Sequence, residues 1–158
     1  NGVFLNTGAR DFLDMSFISG SDNEGDSRTV IGTDIDQDGM PELLVRQVGG
    51  GALAVYQNKF QKTNWLVLSL RGEQSNTAGI GAKISVRRGG LTVRKELYPI
   101  VNFLAQSPSR VHIGMGEFST ADEIKIEWPA GGITLLKNVE VNRHLRVYEK
   151  DGHLQQLY

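Results

Sequence analysis

The sequence contains no cysteine and no long apolar run. Without cysteine, the chain cannot form disulfide bonds, use a thiol in catalysis or bind a metal through thiolates. A bilayer-spanning helix needs about 20 predominantly apolar residues, and no segment approaches this length, so we expect no transmembrane segment. The chain also opens at Asn1 without a charged and apolar leader. We therefore expect it to be a mature or excised part of a longer protein.

A large excess of either charge is also missing. The chain has 17 lysines and arginines against 18 aspartates and glutamates, so no net positive field suggests nucleic acid or an acidic membrane surface as a partner. Long stretches of strong helix formers are absent. Glycine, by contrast, is frequent at 19 residues, about 12% where roughly 7% is average. This composition favours many short strands joined by tight turns.

Alternating or β-branched segments recur along the chain with turn residues between them. Two of the turns, Gly89-Gly90 and Gly131-Gly132, are typical of hairpins. The pattern predicts an all-β protein, with a boundary in the polar stretch near Lys62 that divides residues 1–61 from residues 62–158. The predicted strands are 3–6, 12–17, 29–34, 42–48, 52–58, 65–70, 82–88, 91–98, 110–116, 123–128, 133–139 and 144–150.

The most specific signal is the acidic segment DIDQDGMPE at residues 34–42. A calcium loop asks for oxygen ligands at positions one, three and five, a glycine at six for the sharp turn and a backbone carbonyl at seven. The segment meets each requirement and adds a fourth carboxylate at position nine. The predicted ligands of one Ca²⁺ are the side chains of Asp34, Asp36, Asp38 and Glu42 and the backbone carbonyl of Met40.

Three other interpretations of this segment can be weighed on the same residues. An EF-hand needs a bidentate glutamate at position twelve and flanking helices, but position twelve is Val45 and both flanks are strand-like. Mg²⁺ retains several waters, so a cage of protein oxygens suits it poorly. A solvated Asp/Gly turn without a metal stays open, although four converging carboxylates would repel one another without a cation.

With its flanks, this segment resembles a known repeat. TVIGTDIDQDGMPELLV resembles an FG-GAP/VCBS repeat of integrin-like β-propellers, and NGVFLNTGARDFLDMSF resembles the outer strands of the preceding blade. From Trp65 to about Glu149 the chain resembles the ASPIC/UnbV domain that follows such repeats in bacterial proteins and in cartilage acidic protein-like proteins. The matching landmarks are Ser75-Asn76, Gly79-Ile80-Gly81-Ala82, Gln106-Ser107, His112-Ile113-Gly114-Met115-Gly116, Trp128-Pro129-Ala130-Gly131 and Asn138-Val139.

The resemblance implies partial β-propeller blades with a calcium loop over residues 1–61, followed by a β-sandwich-like ASPIC/UnbV domain over residues 62–158. It implies a calcium-binding adhesion or recognition module in the C-terminal part of an exported protein, at the cell surface, in the periplasm or outside the cell. A glycan or a protein is the expected partner. Two alternatives are an accessory domain of a secondary-metabolism or hydrolytic enzyme and a purely structural cap of the propeller.

No constellation in the sequence predicts catalysis. The three histidines, His112, His144 and His153, lack the close spacing of a metal pair. No serine sits in a G-x-S-x-G elbow, and no compact Ser, His and Asp set is visible. The G-I-G-A segment at 79–82 lacks the βαβ context of a phosphate loop. We expect no catalytic residue and no enzyme.

Three further groups of residues have both a binding and a structural interpretation. A basic hairpin could meet an anionic glycan or nucleic acid, or it could simply be a solvated, edge-protecting charge pattern. The tryptophans could be core residues or sugar-stacking platforms, and polar loop residues could take part in recognition. These residues are Arg87, Arg88, Arg94 and Lys95 in the hairpin, Trp65 and Trp128, and Asn76, Asn102 and Gln106 in loops.

The strand count predicts that the N-terminal part is incomplete. A propeller blade is a four-stranded sheet that packs against its neighbours. Residues 3–17 supply two outer strands of one blade, and residues 29–58 supply three strands of the next. We therefore expect residues 1–60 to be held by the rest of the propeller, by packing on the domain after Trp65, or by pairing of the N-terminal strands with a second copy of the chain.

Overall fold

The computed structural model describes residues 1–8, 10–49, 51–100 and 102–158. Within these residues every regular element is a strand and no helix occurs, so the predicted all-β class is confirmed. The thirteen strands are β1 (Phe4–Asn6), β2 (Phe12–Asp14), β3 (Ser27–Thr33), β4 (Glu42–Gln47), β5 (Ala54–Tyr56), β6 (Asn64–Arg71), β7 (Lys83–Arg88), β8 (Leu91–Glu96), β9 (Arg110–Gly116), β10 (Thr120–Glu127), β11 (Ile133–Glu140), β12 (Arg143–Tyr148) and β13 (Leu154–Gln156).

The strands form four open sheets, and none of them closes into a barrel within the described residues. The N-terminal part has a two-stranded sheet, β1-β2, and a three-stranded sheet, β3-β4-β5. The C-terminal part has two four-stranded sheets, which we name sheet C (order β13-β12-β6-β9) and sheet D (order β11-β10-β7-β8). In sheet C, β12 pairs with β6 in parallel, whereas its other pairs are antiparallel.

One buried apolar cluster joins sheets C and D. Alternate residues of β6 and β9, such as Leu66 and Ile113, enter it from sheet C, and Ile84 and Ile126 enter it from sheet D. All four side chains are at most 2% exposed. The period of two follows from the pleat of a strand, which sends successive side chains to opposite faces. Burying a side chain of this size stabilises the fold by about 1.5–3 kcal/mol, so this cluster is the main source of stability.

The N-terminal part buries much less apolar surface. Among the described residues before Trp65, the buried apolar side chains are Met40 and Val45. Large side chains there lie in water instead, including Phe4 at 62% and Phe17 at 86% exposure. All residues of β1 and β2 are exposed. This part of the chain therefore has little core of its own.

The two predicted glycine hairpins are confirmed. Gly89-Gly90 joins β7 to β8, and Gly131-Gly132 lies between β10 and β11. Predicted strand 12–17 is shorter than expected and ends at Asp14, because the chain turns where the Asp14 carboxylate accepts the backbone N–H of Ser16 at 2.9 Å. The short strand β13 was not predicted. The structure shows no membrane-spanning helix in the described residues.

Candidate metal-binding loop and its docking surface

The acidic segment forms the tip of a hairpin. β3 pairs antiparallel with β4, and the last pair before the tip joins Thr33 to Glu42. The tip can turn sharply because Gly39 has a φ of +89°, a conformation that costs side chains other than glycine strain. Asp34 follows the residue that pairs with Glu42, so the two acidic residues lie on the two sides of the hairpin base, and their carboxylate oxygens come within 4.8 Å of each other.

Backbone N–H groups of the tip hold its carboxylates in place. The N–H of Gly39 donates to Asp34 Oδ2 at 3.0 Å, and that of Asp38 donates to Asp34 Oδ1 at 3.1 Å. The N–H of Ile35 donates to Glu42 Oε2 at 3.0 Å. These bonds orient the two buried carboxylates, which are only 5% and 6% exposed.

Three of the four predicted carboxylate ligands converge. Asp34, Asp36 and Glu42 each place a carboxylate oxygen within 4.8 Å of the others. Asp38 stands apart from this group, because its Oδ2 lies 2.7 Å from the ammonium of Lys62 and its Oδ1 accepts the N–H of Met40 at 2.9 Å. The Lys62 hydrogen bond is the main cause that lowers the pKa of Asp38, and the same pair raises the pKa of Lys62.

The donor set fits a hard cation. It consists of oxygen alone, which is the ligand type of Ca²⁺, and a tight glycine turn closes it, as in the loop of an EF-hand. Two of its carboxylates are buried. Buried carboxylates without a cation repel one another in a medium that screens charge less than water. Asp34, Asp36 and Glu42 would hold the ion, and Asp38 would join them if it released Lys62. The ion would neutralise the cluster and brace the hairpin.

The hairpin tip packs against the outer face of sheet C. A Cβ added to Gly39 would lie 2.0 Å from Cδ1 of Trp65, so the indole ring sits directly on this glycine. The Trp65 ring also stacks on His112 at a centroid distance of 6.1 Å. The acidic tip is therefore fixed to the C-terminal part by an aromatic contact that tolerates no larger residue than glycine.

Arg110 makes the polar part of the same contact. Its guanidinium donates to Thr33 Oγ1 at 3.1 Å and to the backbone carbonyl of Asp34 at 3.4 Å. Its other terminal nitrogen donates to the hydroxyl of Tyr158 at 3.0 Å. This single side chain on β9 thus links the acidic loop to the last residue of the chain.

Trp65 and Arg110 form the surface on which the acidic tip packs, which we call the docking surface. His112 is part of this docking surface and not of the ligand set. Burial lowers its pKa, while the Asp34 charge and a hydrogen bond with the backbone of Gly39 oppose that shift. Its packing on Trp65 gives His112 a structural role in this contact. His153 belongs to the turn between β12 and β13, where its ring is 5.8 Å from that of Tyr148.

The structure also brings together a serine and a histidine that sequence spacing did not connect. Ser69 Oγ lies 2.6 Å from His144 Nε2, because β6 and β12 are adjacent parallel strands. The other ring nitrogen, Nδ1, is buried and has no partner in the described part of the chain. Burial, with the charges of Arg110 and Arg146, lowers the pKa of His144 to about 4. The pair therefore lacks the orienting carboxylate of a hydrolytic triad within the described residues.

A second carboxylate with a clear structural role was missed by sequence reasoning. Glu149 Oε2 accepts the backbone N–H groups of Glu73, Gln74 and Ser75 at 2.6, 2.9 and 2.9 Å. Its Oε1 accepts the Ser75 hydroxyl at 2.7 Å. These bonds fasten the loop after β6 to the end of β12. The sequence carries no signal for this contact, since the partners are more than 70 residues apart.

The remaining candidates are divided between structural and exposed positions. Trp128 is a core residue, 4% exposed, and donates to Thr134 at 2.9 Å. Asn76 closes its own loop through two 2.8 Å hydrogen bonds with the backbone of Ile80. Asn102 contacts Ser107 at 3.3 Å, and Gln106 is exposed.

The basic hairpin β7-β8 does not form one patch. Arg88 turns toward the carbonyl of Gly114 and the ring of Phe118, and the Cα partner of Lys95 is the core residue Ile84. Arg87 and Arg94, by contrast, lie on the outer face of sheet D. The four residues that are close in the sequence are therefore separated by the alternation of the strands.

Comparison with known families identifies the family of the C-terminal part. The family model described as ASPIC and UnbV matches residues 72–154, more than half of the chain. The chain belongs to the ASPIC/UnbV family. This match covers β7 to β12 and the first residue of β13, together with the Glu149 contact, whereas the acidic loop lies outside it. No curated protein matches the chain.

Proposed function

We propose that this ASPIC/UnbV chain is a non-catalytic, calcium-binding adhesion or recognition module. The observation that carries the proposal is the convergence of Asp34, Asp36 and Glu42, two of them buried, at a glycine turn. An oxygen-only cluster of this kind offers what Ca²⁺ asks for. Among the residues described around it, no nucleophile or acid–base pair is placed to use the ion in a reaction.

The proposal includes the origin of the N-terminal part. We assign residues 1–61 to an FG-GAP/VCBS-like propeller fragment and residues 62–158 to a sandwich-like ASPIC/UnbV domain. The open three-stranded sheet β3-β4-β5, with its acidic hairpin tip, supports the first assignment. The common core of sheets C and D, which includes no described residue before Leu66, supports the second.

The module acts outside the cytoplasm, at the cell surface, in the periplasm or in the extracellular medium, as the C-terminal part of a larger exported protein. Its partner is a glycan or a protein. A glycan array probed with and without calcium separates this function from that of a structural cap. Calcium-dependent binding supports recognition, whereas an array without any bound glycan, combined with no protein partner, favours the cap.

A structural cap is the second candidate, because one observation favours it. The exposed apolar side chains of β1 to β5, such as Phe4, Phe12 and Val55, are 62%, 60% and 54% exposed. Such a surface suits neighbouring propeller blades better than it suits water. A longer chain that includes neighbouring repeats should bury these side chains.

Melting experiments test the calcium function. Modules of this class bind Ca²⁺ at about 10⁻⁴–10⁻³ M, so millimolar calcium should stabilise the fold by about 0.5–2 kcal/mol. Asp36→Ala should remove the response, and Asp22→Ala, which removes an exposed aspartate elsewhere, should keep it. A melting temperature that is the same with calcium and with a chelator counts against the proposal.

A further inference from the structure

The outer face of sheet D carries a ring of four basic residues around one serine. Ser85 lies on β7 between Lys83 and Arg87, which are two residues away and share its face. Its Cα partners on the two neighbouring strands are Arg94 on β8 and Lys125 on β10. All four nearest neighbours of Ser85 on this face are therefore cationic. We call these five residues the Ser85 ring.

The Ser85 ring forms the floor of an open groove of about 580 Å³. Neighbouring strands lie about 4.8 Å apart, so an anionic group above Ser85 is within reach of all four long side chains. The small serine leaves room at the centre and offers a hydroxyl donor. The groove is completed at its corners by Thr92, Glu96, Glu123 and Glu127.

The four cations are not equally engaged. Lys125 is paired with Glu127, and Arg87 lies 3.9 Å from Glu123, at the limit of an ion pair. Within the part of the chain that the structure describes, Lys83 and Arg94 have no carboxylate at ion-pair distance. These two cations lie on the paired strands β7 and β8, and neither is held in an ion pair among the described residues, although both interact electrostatically with Glu127.

We propose that the Ser85 ring binds the sulfate or carboxylate group of an acidic polysaccharide. A planar guanidinium and an ammonium beside a hydroxyl donor match such an oxyanion. The glutamates at the corners can accept hydrogen bonds from sugar hydroxyls. The exposed side chains of Ile133 and Leu135, on the same face of β11, extend the surface with apolar area.

The same corners argue against nucleic acid as the ligand. Duplex DNA presents about one phosphate charge for every 1.7 Å of its axis, so the three glutamates would face phosphates wherever the strand ran. Single strands are held by stacking on aromatic side chains, and no aromatic residue is among those that line the groove in the described chain. A polysaccharide with spaced charges avoids both conflicts.

This inference rests on the glycan partner of the proposed function, but it does not need calcium. The acidic loop packs on the outer face of sheet C, whereas the Ser85 ring lies on the outer face of sheet D. The two sites are on different sheets, so they can be tested separately.

The test is calorimetric titration of the whole chain, in the presence of chelator, with defined tetrasaccharides. A heparin tetrasaccharide supplies sulfate and carboxylate, a galacturonate tetrasaccharide supplies carboxylate alone, and maltotetraose is neutral. At least one acidic tetrasaccharide should bind and maltotetraose should not. In nuclear magnetic resonance spectra of the wild-type chain, the amide signals that shift when the tetrasaccharide is added should belong to residues around Ser85.

The decisive variant removes the two unpaired cations together. Lys83→Gln with Arg94→Gln should weaken binding by about tenfold or more, the effect of losing charged hydrogen bonds. The control, Lys59→Gln with Lys150→Gln, removes the same charge from two exposed positions elsewhere and should bind as the wild type does. Melting curves of both double variants show whether each is folded. If a variant is not folded, the amide shifts of the wild-type chain on saccharide binding locate the binding site.

Several results overturn the inference. They are absence of binding by both acidic tetrasaccharides, an equal loss in the two double variants, and tighter binding of oligothymidylate at the same salt concentration. Acidic saccharide that binds only when calcium is added would move the glycan site to the acidic loop, which contradicts this inference and supports the proposed function. Binding of an acidic tetrasaccharide in chelator by a chain that takes up no calcium would support this inference and contradict the calcium site of the proposed function.

Discussion

At the scale of single residues, Asp38 is the predicted calcium ligand whose surroundings depart most from the prediction. The sequence places it at position five of the loop, but Lys62 occupies its Oδ2. The Lys62 side chain is 72% exposed, and an ion pair in water holds its partners weakly. Lys62 is therefore a competitor that a divalent cation can displace from Asp38.

Removing this competitor should strengthen calcium binding. We expect Lys62→Gln to lower the Kd for Ca²⁺ by a factor of about two to five, the size of an exposed ion pair. Lys59→Gln is the control, because Lys59 is an exposed lysine three residues before Lys62 in the sequence, and the ion pair of Asp38 is with Lys62. Calorimetric titration measures both. An equal Kd in the two variants would show that Lys62 does not compete for Asp38.

His144 predicts a pH dependence of stability. Its pKa in the folded chain is about 4, below the ordinary value of 6.5, so between these values the unfolded chain binds a proton that the folded chain does not. Its contribution is complete above pH 6.5 and is lost as the pH falls toward 4, with a slope of at most about 1.4 kcal/mol per pH unit. Denaturant unfolding across this range measures the slope.

One substitution tests this assignment. His144→Gln should reduce the slope that is measured for the wild-type chain. Part of the slope should remain in His144→Gln, because burial lowers the pKa of His112 in the same direction. An unchanged slope in His144→Gln would contradict the assignment.

At the scale of elements, the contact between the hairpin tip and β6 depends on one glycine. Gly39 and Gly49 have nearly the same backbone angle, with φ of +89° and +92°. They differ in their surroundings, since a Cβ at Gly39 would meet the Trp65 ring and a Cβ at Gly49 would meet nothing within 4 Å. Substitutions at these two glycines therefore distinguish the cost of backbone strain from the cost of losing the contact with Trp65.

Alanine at the two glycines should have unequal effects. Gly49→Ala should lower the free energy of unfolding by about 1–2 kcal/mol, the cost of a left-handed residue with a Cβ. Gly39→Ala should lower it further and should also weaken calcium binding, because Trp65 must move and the tip with it. Denaturant unfolding and calcium titration give both quantities. Equal losses of stability in the two variants would show that Trp65 does not hold the tip.

The elements also show what the sequence can predict. Alternation within one strand is local, so β9 was predicted at its observed bounds and a strand was correctly predicted to begin at Glu42. Pairing between distant strands leaves no such pattern. The parallel pair β6-β12, and with it the Ser69 and His144 contact, could not be inferred. The contacts of Lys62 with Asp38 and of Arg110 with the acidic loop could not be predicted for the same reason. Strand β13 was not predicted because it is short and polar.

At the scale of the whole molecule, the two parts of the chain differ in how they are stabilised. Sheets C and D share one dry core, whereas the N-terminal sheets are fixed by a few contacts. These contacts include the Trp65 and Arg110 interactions with the acidic tip and a hydrogen bond from the Thr29 hydroxyl to the carbonyl of Phe103. The N-terminal part should therefore open without the rest of the molecule unfolding.

Hydrogen exchange tests this difference. In a monomeric sample, amides of residues 1–60 should exchange faster than those of residues 65–149, because less apolar surface protects them. Association with a second copy, detected by light scattering, should slow the exchange of the N-terminal strands. Uniform protection in a strictly monomeric sample would show that residues 1–60 are stable without a partner.

The central claim is that the acidic loop is a calcium site, and calorimetric titration of the intact chain with calcium chloride tests it most directly. We expect one ion per chain with a Kd of about 10⁻⁴–10⁻³ M, no binding by Asp36→Ala and unchanged binding by Asp22→Ala. A titration without binding heat, together with a melting temperature that calcium does not alter, would contradict the claim and leave Asp34, Asp36 and Glu42 as the residues of a solvated turn.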